Sequence, residues 1–435
     1  MQSVDTLIFA AHVAPVAPRT VLHDHAVAVS RGRIVAVLPR EEALARFEAG
    51  NVTRLDRHLL IPGLVNLHCH AAMTLMRGMA DDTALMSWLN DHIWPAEAKH
   101  MSDEFAHDGS LIAMAEMLRG GVTCVNDMYF FPEATARAAL RAGMRASLGV
   151  IAIEFPSAYA SDAHGYLQKG LATRDAYQGE ALLTFCLAPH APYTVSDETL
   201  TRIAALAEEL DVPIHSHVHE TRAEIEQGVS QHGVRPFERL RRLGIVGPRL
   251  IAVHAVHLEN HEMDLLAREG ASVAHCPSSN LKLASGIAPV AAMRSRGINV
   301  GIGTDGAASN NRLDVLTEMR TAALLAKAVS GDASVLNAHE ALEMATLAGA
   351  RALNLDGEIG SIEPGKSADL AAIELSSLET LPCFDPVSHL AYAAGREHVT
   401  HVWIAGEARL DERRLLTLDA QDLQEKALWW QRKLA

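Results

Sequence analysis

Eight short apolar runs, separated by longer stretches with helical spacing, constrain the fold of this chain more than any other feature. The runs lie at residues 63–70, 121–128, 145–153, 181–190, 213–220, 250–258, 271–277 and 299–306. Between the fourth and fifth runs, apolar residues recur at helical spacing over 196–210, and Ser196 or Asp197 can cap the start of this helix. Strand–helix alternation repeated eight times predicts an α/β fold with a parallel sheet, most simply a (β/α)8, or TIM, barrel.

The two chain ends have a different pattern. Residues 1–58 predict short strands and turns, and residues 25–39 form two alternating apolar runs around Arg31 and Gly32, which is typical of a hairpin. Residues 398–410 repeat this pattern about a glycine. Because neither end alone offers enough strands to bury a face, we expect both to build one small β-sandwich domain. The predicted borders are 1–59 and 376–435 for this composite β domain and 60–375 for the barrel.

The composition bears on partners and location. The formal net charge is −15, which disfavours nucleic acid and anionic membranes because both attract basic surfaces. The N-terminus shows no signal-peptide pattern, and no stretch reaches the roughly 18 apolar residues of a membrane span. Five scattered cysteines without a C-x-x-C motif fit a reducing compartment. We therefore expect a cytoplasmic protein without nucleic-acid or membrane partners. The sequence is compatible with a homo-oligomer and does not fix the oligomeric state.

Polar side chains cluster where the predicted strands end. In a barrel of this type, the chemistry sits at the C-terminal ends of the strands. These ends carry His68, His70, His190, His217, His219, Glu220, His254, His257, His275 and Asp305. The His-x-His pair that ends the first run brings two imidazoles to one point, as a metal ion requires, although two solvent-facing histidines would have the same spacing. An isolated aspartate such as Asp305 is often a turn-former or helix cap, but here it meets histidines from distant strands on one rim.

Three histidines alternate within the fifth run. His215, His217 and His219 are spaced by two, so a strand would point all three in the same direction. His215 lies earlier on the strand, and we expect it to pack or to hydrogen-bond in the core. His217 and His219 both lie near the mouth of the barrel, and periodicity does not choose between them.

Six longer motifs carry a family resemblance. They are IPGLVNLHCHAAMTLMRGMADD, APHAPYTVSDE, HVHE, VHAVHL, AHCPSSNLKLASGIAPV and GTDGAASNNRLDVLTEMR. With these motifs the chain resembles the amidohydrolase superfamily and, within it, the 5′-methylthioadenosine/S-adenosylhomocysteine deaminases and the related s-triazine hydrolases. The resemblance extends from Pro62 to the segment at 360–373. It implies a (β/α)8 barrel with a small β domain built from both chain ends, in agreement with the alternation described above.

The resemblance also implies a role for each strand-end residue. It implies that His68, His70, His217 and Asp305 bind the metal, that Glu220, His254 and Asp305 are catalytic, and that Glu97, His190 and Glu220 contact the substrate. The apolar loop at 76–95 adds Trp88 as a candidate substrate contact. The family's H-x-x-E spacing selects His217 as the ligand and Glu220 as the proton carrier. In a continuous strand, the side chains of His217 and Glu220 would point to opposite faces. Glu220 can therefore act as the proton carrier only if the strand ends near His217 and the chain turns back over the metal.

The resemblance implies one metal ion rather than two. Many amidohydrolases hold two metals through a carboxylated lysine at the end of the fourth strand, but the run at 181–190 contains no lysine. Three imidazoles and a carboxylate suit a divalent ion such as zinc, with iron or manganese as alternatives. The cytidine-deaminase signature, His-x-Glu followed by Pro-Cys-x-x-Cys, is absent.

The implied reaction is hydrolytic deamination of a small-molecule nucleoside. The resemblance implies conversion of 5′-methylthioadenosine, or alternatively of S-adenosylhomocysteine or adenosine, to the inosine analogue and ammonia. Glu97 would receive ribose hydroxyls, His190 would contact the nucleoside, and Trp88 would cover an apolar 5′ substituent. Members that accept S-adenosylhomocysteine carry an arginine after the third strand, and this position falls at about Val150. We therefore predict a preference for methylthioadenosine.

Two other functions share parts of this pattern. A hydrolase or deaminase of another ring, such as an s-triazine, guanine or a pterin, would use the same metal ligands and differ at Glu97 and His190. A non-catalytic barrel scaffold would have no need for Glu220, His254 and the four metal ligands together. Taken singly, Glu97 could be a solvated helix residue, His190 a structural turn residue, and Trp88 a part of ordinary packing.

Overall fold

The computed structural model describes residues 1–435 and contains two eight-stranded sheets. The strands are β1 Gln2–Val13, β2 Leu22–Ser30, β3 Arg33–Pro39, β4 Phe47–Pro62, β5 Leu64–Cys69, β6 Val122–Asp127, β7 Arg145–Ala152, β8 Leu183–Pro189, β9 Ile214–Val218, β10 Leu250–His254, β11 Ser272–His275, β12 Asn299–Ile302, β13 Leu370–Glu374, β14 Val399–Ile404, β15 Glu407–Asp411 and β16 Arg414–Leu415. The helices are α1 Arg40–Arg46, α2 Leu85–Ser87, α3 Trp94–His100, α4 Asp103–Arg119, α5 Pro132–Ala142, α6 Ala163–Ala176, α7 Asp197–Leu210, α8 Arg222–His232, α9 Pro236–Arg242, α10 Asn260–Glu269, α11 Pro277–Lys282, α12 Val290–Ser295, α13 Ala307–Asn310, α14 Val315–Ser330, α15 Ala338–Met344, α16 Leu347–Ala352, α17 Pro386–Tyr392 and α18 Ala420–Leu434. Short 3-10 segments lie at Ala71–Met76, Leu378–Thr380 and Arg396–His398, and a π-helical segment lies at Trp88–Ile93.

The eight predicted runs form the barrel. Strands β5 to β12 lie in sequential order in one sheet, and the pairs from β7 to β12 are parallel. At the seam between the first and last barrel strands, the backbone N–H groups of Thr304 and Asp305 donate to the carbonyl oxygen of His68 at 3.1 and 3.0 Å. The prediction of a (β/α)8 barrel is confirmed, since this sheet is a nearly closed parallel barrel.

The helix predicted between the fourth and fifth barrel strands is α7. Its side chains Leu200, Ile203 and Ala207 are buried, in agreement with the helical spacing of the apolar residues. Ser196 is the N-cap, because its Oγ accepts a hydrogen bond from the backbone N–H of Thr199 at 3.2 Å.

Both chain ends share the other sheet, which forms the small sandwich-like domain that the sequence predicts. Its strand order is β16-β15-β14-β13-β4-β1-β2-β3, and the two predicted hairpins are β2–β3 and β14–β15, both antiparallel. The expectation of short strands is wrong for β1 and β4, which span 12 and 16 residues and pair in parallel. Residues 48–58 of β4 are mainly polar, so their sequence carries no strand signal, whereas pairing with β1 satisfies their backbone groups.

The chain divides into two compact units. Residues 1–66, 115–124 and 314–419 form one unit, and residues 67–114, 125–313 and 420–435 form the other. The side chains of the candidate site all belong to the second unit. The predicted domain borders after residues 59 and 375 stay a prediction.

Gly149 lies at a close approach of three barrel strands. Its strand β7 is placed between β6 and β8. A Cβ atom at this position would lie 2.8 Å from the carbonyl oxygen of Asp127 and 2.9 Å from the Cβ atom of Ala188. Neither of these atoms can rotate away, so a side chain at this position forces the strands apart.

We expect Gly149→Ala to lower the free energy of unfolding by about 1–3 kcal/mol, the usual cost of overpacking a well-packed interior. Gly247→Ala is the matched control, because a Cβ atom there would meet nothing within 4 Å. Urea denaturation followed by circular dichroism compares both variants with the parent chain. Equal stability of Gly149→Ala and the parent would contradict this close approach.

Candidate active site and metal centre

The strand ends bring the predicted metal ligands together. His68 lies in β5, His70 directly follows this strand, His217 lies in β9, and Asp305 follows β12. One oxygen of Asp305, Oδ1, lies 3.2 Å from Nε2 of His68 and 3.2 Å from Nε2 of His70. Nε2 of His217 lies 3.3 Å from Nε2 of His68. Side chains from the first, fifth and eighth barrel strands therefore converge on one point.

Backbone carbonyl groups orient two of these imidazoles. Nδ1 of His70 lies 2.6 Å from the carbonyl oxygen of Met128, and Nδ1 of His217 lies 2.7 Å from that of His190. A carbonyl oxygen only accepts, so each Nδ1 carries a proton and donates it. Metal-binding histidines are commonly held by such a hydrogen bond, which leaves Nε2 free to bind the ion.

His215 orients the third imidazole. It is fully buried, as expected for its position on the strand, and its Nε2 lies 2.9 Å from Nδ1 of His68. When Nδ1 of His68 donates to His215, Nε2 of His68 presents a lone pair to the centre. The lone pairs of His68 and His217 then face each other at 3.3 Å, and this arrangement is repulsive unless a cation lies between them.

The charge of Asp305 favours a cation at the same point. Burial alone would raise the pKa of Asp305, but its contacts with the imidazoles of His68 and His70 hold it well below its ordinary value. Burial also disfavours a charged His70, yet Asp305 outweighs this effect and raises the pKa of His70 to about 9, so a bound metal ion would displace the proton on Nε2 of His70. Burial lowers the pKa of His217 well below its ordinary value, so this imidazole is neutral. The three imidazoles and the buried carboxylate fit a divalent ion of the zinc class.

His254 ends β10 beside these ligands. Two overlapping groups each have their ligand atoms within 4.8 Å of one another: His68, His70 and Asp305 form one, and His68, His217 and His254 form the other. Oδ1 of Asn280 lies 2.8 Å from Nδ1 of His254, so Nδ1 donates a proton to Asn280, and Nε2 is the nitrogen that carries the lone pair in the neutral imidazole. Asn280 has no place in the sequence prediction, since it lies in helix α11 rather than at a strand end.

Two serines hold the second oxygen of Asp305. Oγ of Ser279 and Oγ of Ser309 donate to Oδ2 at 2.6 and 2.8 Å. Both serines lie in short helices that follow barrel strands, α11 and α13. The sequence does not predict these contacts, because serines that meet an aspartate only through folding leave no local spacing.

The turn after β9 brings Glu220 to the cluster. The strand ends at Val218, and His219 adopts a left-handed backbone with a φ of 53°. The strand therefore ends near His217 and the chain turns, as is required for Glu220 to face the same side as His217. Oε2 of Glu220 lies 3.7 Å from Nε2 of His254, and Ser285 donates to Oε1 at 3.4 Å. Burial raises the pKa of Glu220, so it holds a proton closer to neutral pH than an exposed glutamate does.

His219 takes part in a different set of contacts. Its Nε2 accepts a hydrogen bond from the backbone N–H of Phe237 at 3.1 Å, and its Nδ1 lies 3.6 Å from Oε2 of Glu262. His217 instead directs its Nε2 at His68. The end of the strand therefore separates two histidines that strand periodicity treats as equivalent.

A pocket beside the cluster contains the three remaining substrate candidates. Its lining includes Trp88, Glu97 and His190 together with His70, His217, Glu220, His254 and Asp305. Glu97 is buried, so its interpretation as a solvated helix residue is wrong, and Tyr129 donates to its Oε1 at 2.6 Å. Burial raises the pKa of Glu97 to about 7 and lowers that of His190 to about 3. The sequence does not predict Tyr129, which follows the second barrel strand without a metal-binding pattern.

An apolar chamber adjoins this pocket. It has a volume of about 320 Å³ and shares Trp94, Glu97, Phe130 and Phe155 with the pocket. No lysine or arginine lines either space. The chamber lining also contains no histidine, so a negatively charged group would meet no counter-charge in the chamber, whereas an apolar group would pack against aromatic rings.

Known proteins with similar sequences match almost the full length of this chain. The amidohydrolase family model matches residues 59–409. The 5-methylthioadenosine/S-adenosylhomocysteine deaminase of Teredinibacter turnerae is 45% identical over 433 residues, which cover 99% of this chain and 98% of that protein. The protein of the same name from Saccharophagus degradans is 46% identical over 431 residues, with 99% and 97% covered.

Solved structures share the fold. An adenosine deaminase from Xanthomonas campestris with bound zinc has a TM-score of 0.98 at 50% identity, and the match covers 100% of this chain and 99% of that chain. Atrazine chlorohydrolase from Arthrobacter aurescens in complex with zinc has a TM-score of 0.90 at 23% identity, with 98% and 99% covered. The second similarity concerns the fold alone.

We expect His217→Ala to lose most of the metal bound per chain, because it removes one of the converging Nε2 atoms. The matched variant His219→Gln should retain the metal, since His219 contacts Phe237 and Glu262 instead. Atomic emission spectroscopy on purified protein, with circular dichroism as a check of folding, measures both. Metal loss in the folded His219→Gln variant but not in His217→Ala would contradict this assignment.

Proposed function

Because the chain belongs to the amidohydrolase family, we propose that it is a metal-dependent hydrolytic deaminase that converts 5′-methylthioadenosine to the inosine analogue and ammonia. The observation that carries this proposal is the close pair of Glu220 and His254 beside the histidine–aspartate cluster. Glu97 lines the same pocket and supplies a buried carboxylate for a nucleoside. Hydrolytic deamination needs an activated water, a group that takes its proton and a group that protonates the ring.

Four side chains, His68, His70, His217 and Asp305, would hold one divalent ion. When bound, the ion acts as a Lewis acid that lowers the pKa of water to about 7. Three imidazoles and a carboxylate suit zinc, and iron or manganese accept similar ligands. The zinc in the Xanthomonas structure supports zinc as the first choice.

His254 and Glu220 carry the protons of the reaction. Since Asn280 engages Nδ1 of His254, the unprotonated Nε2 takes the proton of the attacking water, which Asp305 helps to orient. Glu220, whose pKa burial raises, donates its proton to the ring nitrogen beside the amino-bearing carbon. The carbon–nitrogen bond to the amino group then breaks, while the added hydroxyl becomes the carbonyl oxygen and its remaining proton returns to Glu220. The leaving nitrogen departs as ammonia with the proton that His254 has taken.

Glu97 and His190 orient the nucleoside. The carboxylate of Glu97 accepts hydrogen bonds from the ribose hydroxyls, while Tyr129 holds it in place from the other side. His190 is neutral, because burial lowers its pKa to about 3, and Thr194 lies 3.0 Å from its Nδ1. It therefore contacts the nucleoside as a neutral hydrogen-bonding group rather than as a cation.

The apolar walls favour a methylthio group at the 5′ position. Trp88, Trp94 and Phe155 line the pocket, and two of them, Trp94 and Phe155, also line the chamber. Val150, the approximate position of the family's carboxylate-binding arginine, is a buried residue of β7. The carboxylate at the amino-acid end of S-adenosylhomocysteine would be desolvated in the chamber without a basic partner, which is unfavourable.

The remaining expectations concern partners and location. No helix of the structure combines the length and apolar character needed to cross a bilayer. We infer a cytoplasmic enzyme that acts on a small molecule, on the basis of the cysteine pattern and the net charge of −15.

We expect the purified protein to convert 5′-methylthioadenosine with a kcat/KM about tenfold or more above that for S-adenosylhomocysteine, because leaving a charged group unpaired costs at least 1–3 kcal/mol. An ultraviolet assay of the adenine-to-hypoxanthine change, with adenosine as the unsubstituted control, measures this ratio. Equal or better efficiency on S-adenosylhomocysteine would contradict the preference. Reaction with guanine or an s-triazine but with no nucleoside would contradict the proposed substrate class.

We expect Glu97→Gln to raise KM for 5′-methylthioadenosine about tenfold to a hundredfold, the range for losing hydrogen bonds to a charged group. The control Glu104→Gln changes an exposed glutamate of α4 and should leave KM unchanged. Steady-state kinetics on both variants tests the ribose contact. An unchanged KM in Glu97→Gln would favour an enzyme for a smaller ring without ribose.

A further inference from the structure

Glu224 forms hydrogen bonds with the backbone of the turn that carries Glu220. It lies in the first turn of α8 and is buried, with 5% of its surface exposed. Its Oε1 accepts the backbone N–H of His219 at 2.9 Å, and its Oε2 accepts that of Glu220 at 2.8 Å. One carboxylate therefore binds two successive peptide groups of the turn.

These two hydrogen bonds are not the ones that cap the N-terminus of helix α8. Thr221 is the N-cap, and its Oγ1 accepts the backbone N–H of Glu224 at 3.2 Å. In an ordinary capping box, the glutamate at the third helical position would bond the N-cap N–H, which here belongs to Thr221. Glu224 instead reaches the two preceding residues. Burial raises the pKa of Glu224, whereas the hydrogen bonds from the backbone N–H groups of His219 and Glu220 favour its charged form.

The same turn, at His219 and Glu220, is also hydrogen-bonded to the loop that follows His254. The carbonyl oxygen of His219 accepts the backbone N–H groups of Val256 and His257, both at 3.1 Å. The N–H of Ala255 donates to the carbonyl oxygen of Val218 at 3.1 Å. The backbone that carries the acid and the backbone that carries the base therefore form one hydrogen-bonded assembly.

We propose that Glu224 is a positioning residue, which holds the left-handed His219–Glu220 turn so that the Glu220 carboxylate stays beside Nε2 of His254 and can protonate the substrate. This inference rests on the proposed function. A left-handed backbone at a non-glycine residue costs roughly 1–2 kcal/mol, so His219 needs such external hydrogen bonds to hold its φ of 53°. Without the hydrogen bonds from Glu224, Glu220 would spend less time in the position that the reaction requires.

The first test is Glu224→Gln, which keeps the shape of the side chain. An amide has one accepting oxygen, so one of the two backbone N–H groups would face an NH2 group instead. We expect kcat to fall about tenfold or more, the effect of an unsatisfied buried donor, while KM and the metal bound per chain stay within about twofold. Unchanged kcat, or a loss confined to KM or to metal content, would overturn the proposal.

The matched control is Glu340→Gln in helix α15. Glu340 also accepts a backbone N–H at a helix start, that of Asn337 at 2.9 Å, but it lies outside the candidate site. We expect its kcat to equal that of the parent. A similar fall in kcat for both variants would point to a general loss of fold and overturn the proposal.

A double-mutant cycle separates positioning from a merely structural role. If Glu224 acts through Glu220, then adding Glu224→Gln to Glu220→Ala should lower kcat no further, because the group to be positioned is already absent. Losses that multiply in the double variant would overturn the proposal. A parent chain that deaminates no nucleoside contradicts the proposed function and this inference together, whereas an active parent with an unimpaired Glu224→Gln variant contradicts the inference alone.

Discussion

The buried carboxylate of Asp305 is the contact on which the rest of the site depends. Its backbone N–H bonds the carbonyl of His68 at the barrel seam, while its Oδ1 lies 3.2 Å from the imidazoles of His68 and His70. Ser279 and Ser309 hold its other oxygen. Barrel closure therefore also places a negative charge among histidines. A charge buried this deeply costs several kcal/mol unless a cation pairs with it, so the arrangement favours a protonated His70 or a divalent metal ion at the point where the side chains converge.

The proposed acid, Glu220, and the proposed base, His254, depend on turns rather than on strand faces. His219, just before Glu220, has a φ of 53°, and His254 has a φ of 68°. Such left-handed positions are unfavourable for ordinary side chains and persist where surrounding contacts over-determine them. The proposed metal ligands His68 and His217 belong to the strands themselves. In this proposal the barrel strands supply rigid ligands, and the loops supply the groups that exchange protons.

Local spacing predicts the parts of this fold that depend on consecutive residues. The eight apolar runs and the His-x-His pair of His68 and His70 are of this kind. Spacing does not reveal partners that meet only through folding, such as Tyr129 on Glu97 or Asn280 on His254, which are separated by 32 and 26 residues. Local spacing also fails to predict the length of strand β4, because its polar residues are held by pairing with β1 and not by a buried face.

The amount of metal that deamination needs tests the central claim most directly. Metal-free protein, prepared with a chelator and checked by circular dichroism, is titrated with zinc while deamination of 5′-methylthioadenosine is followed by ultraviolet absorbance. A single site built from His68, His70, His217 and Asp305 predicts that activity rises linearly and levels off at one equivalent of zinc per chain. Levelling off at two equivalents, or full activity in the metal-free protein, would contradict a one-metal hydrolytic centre.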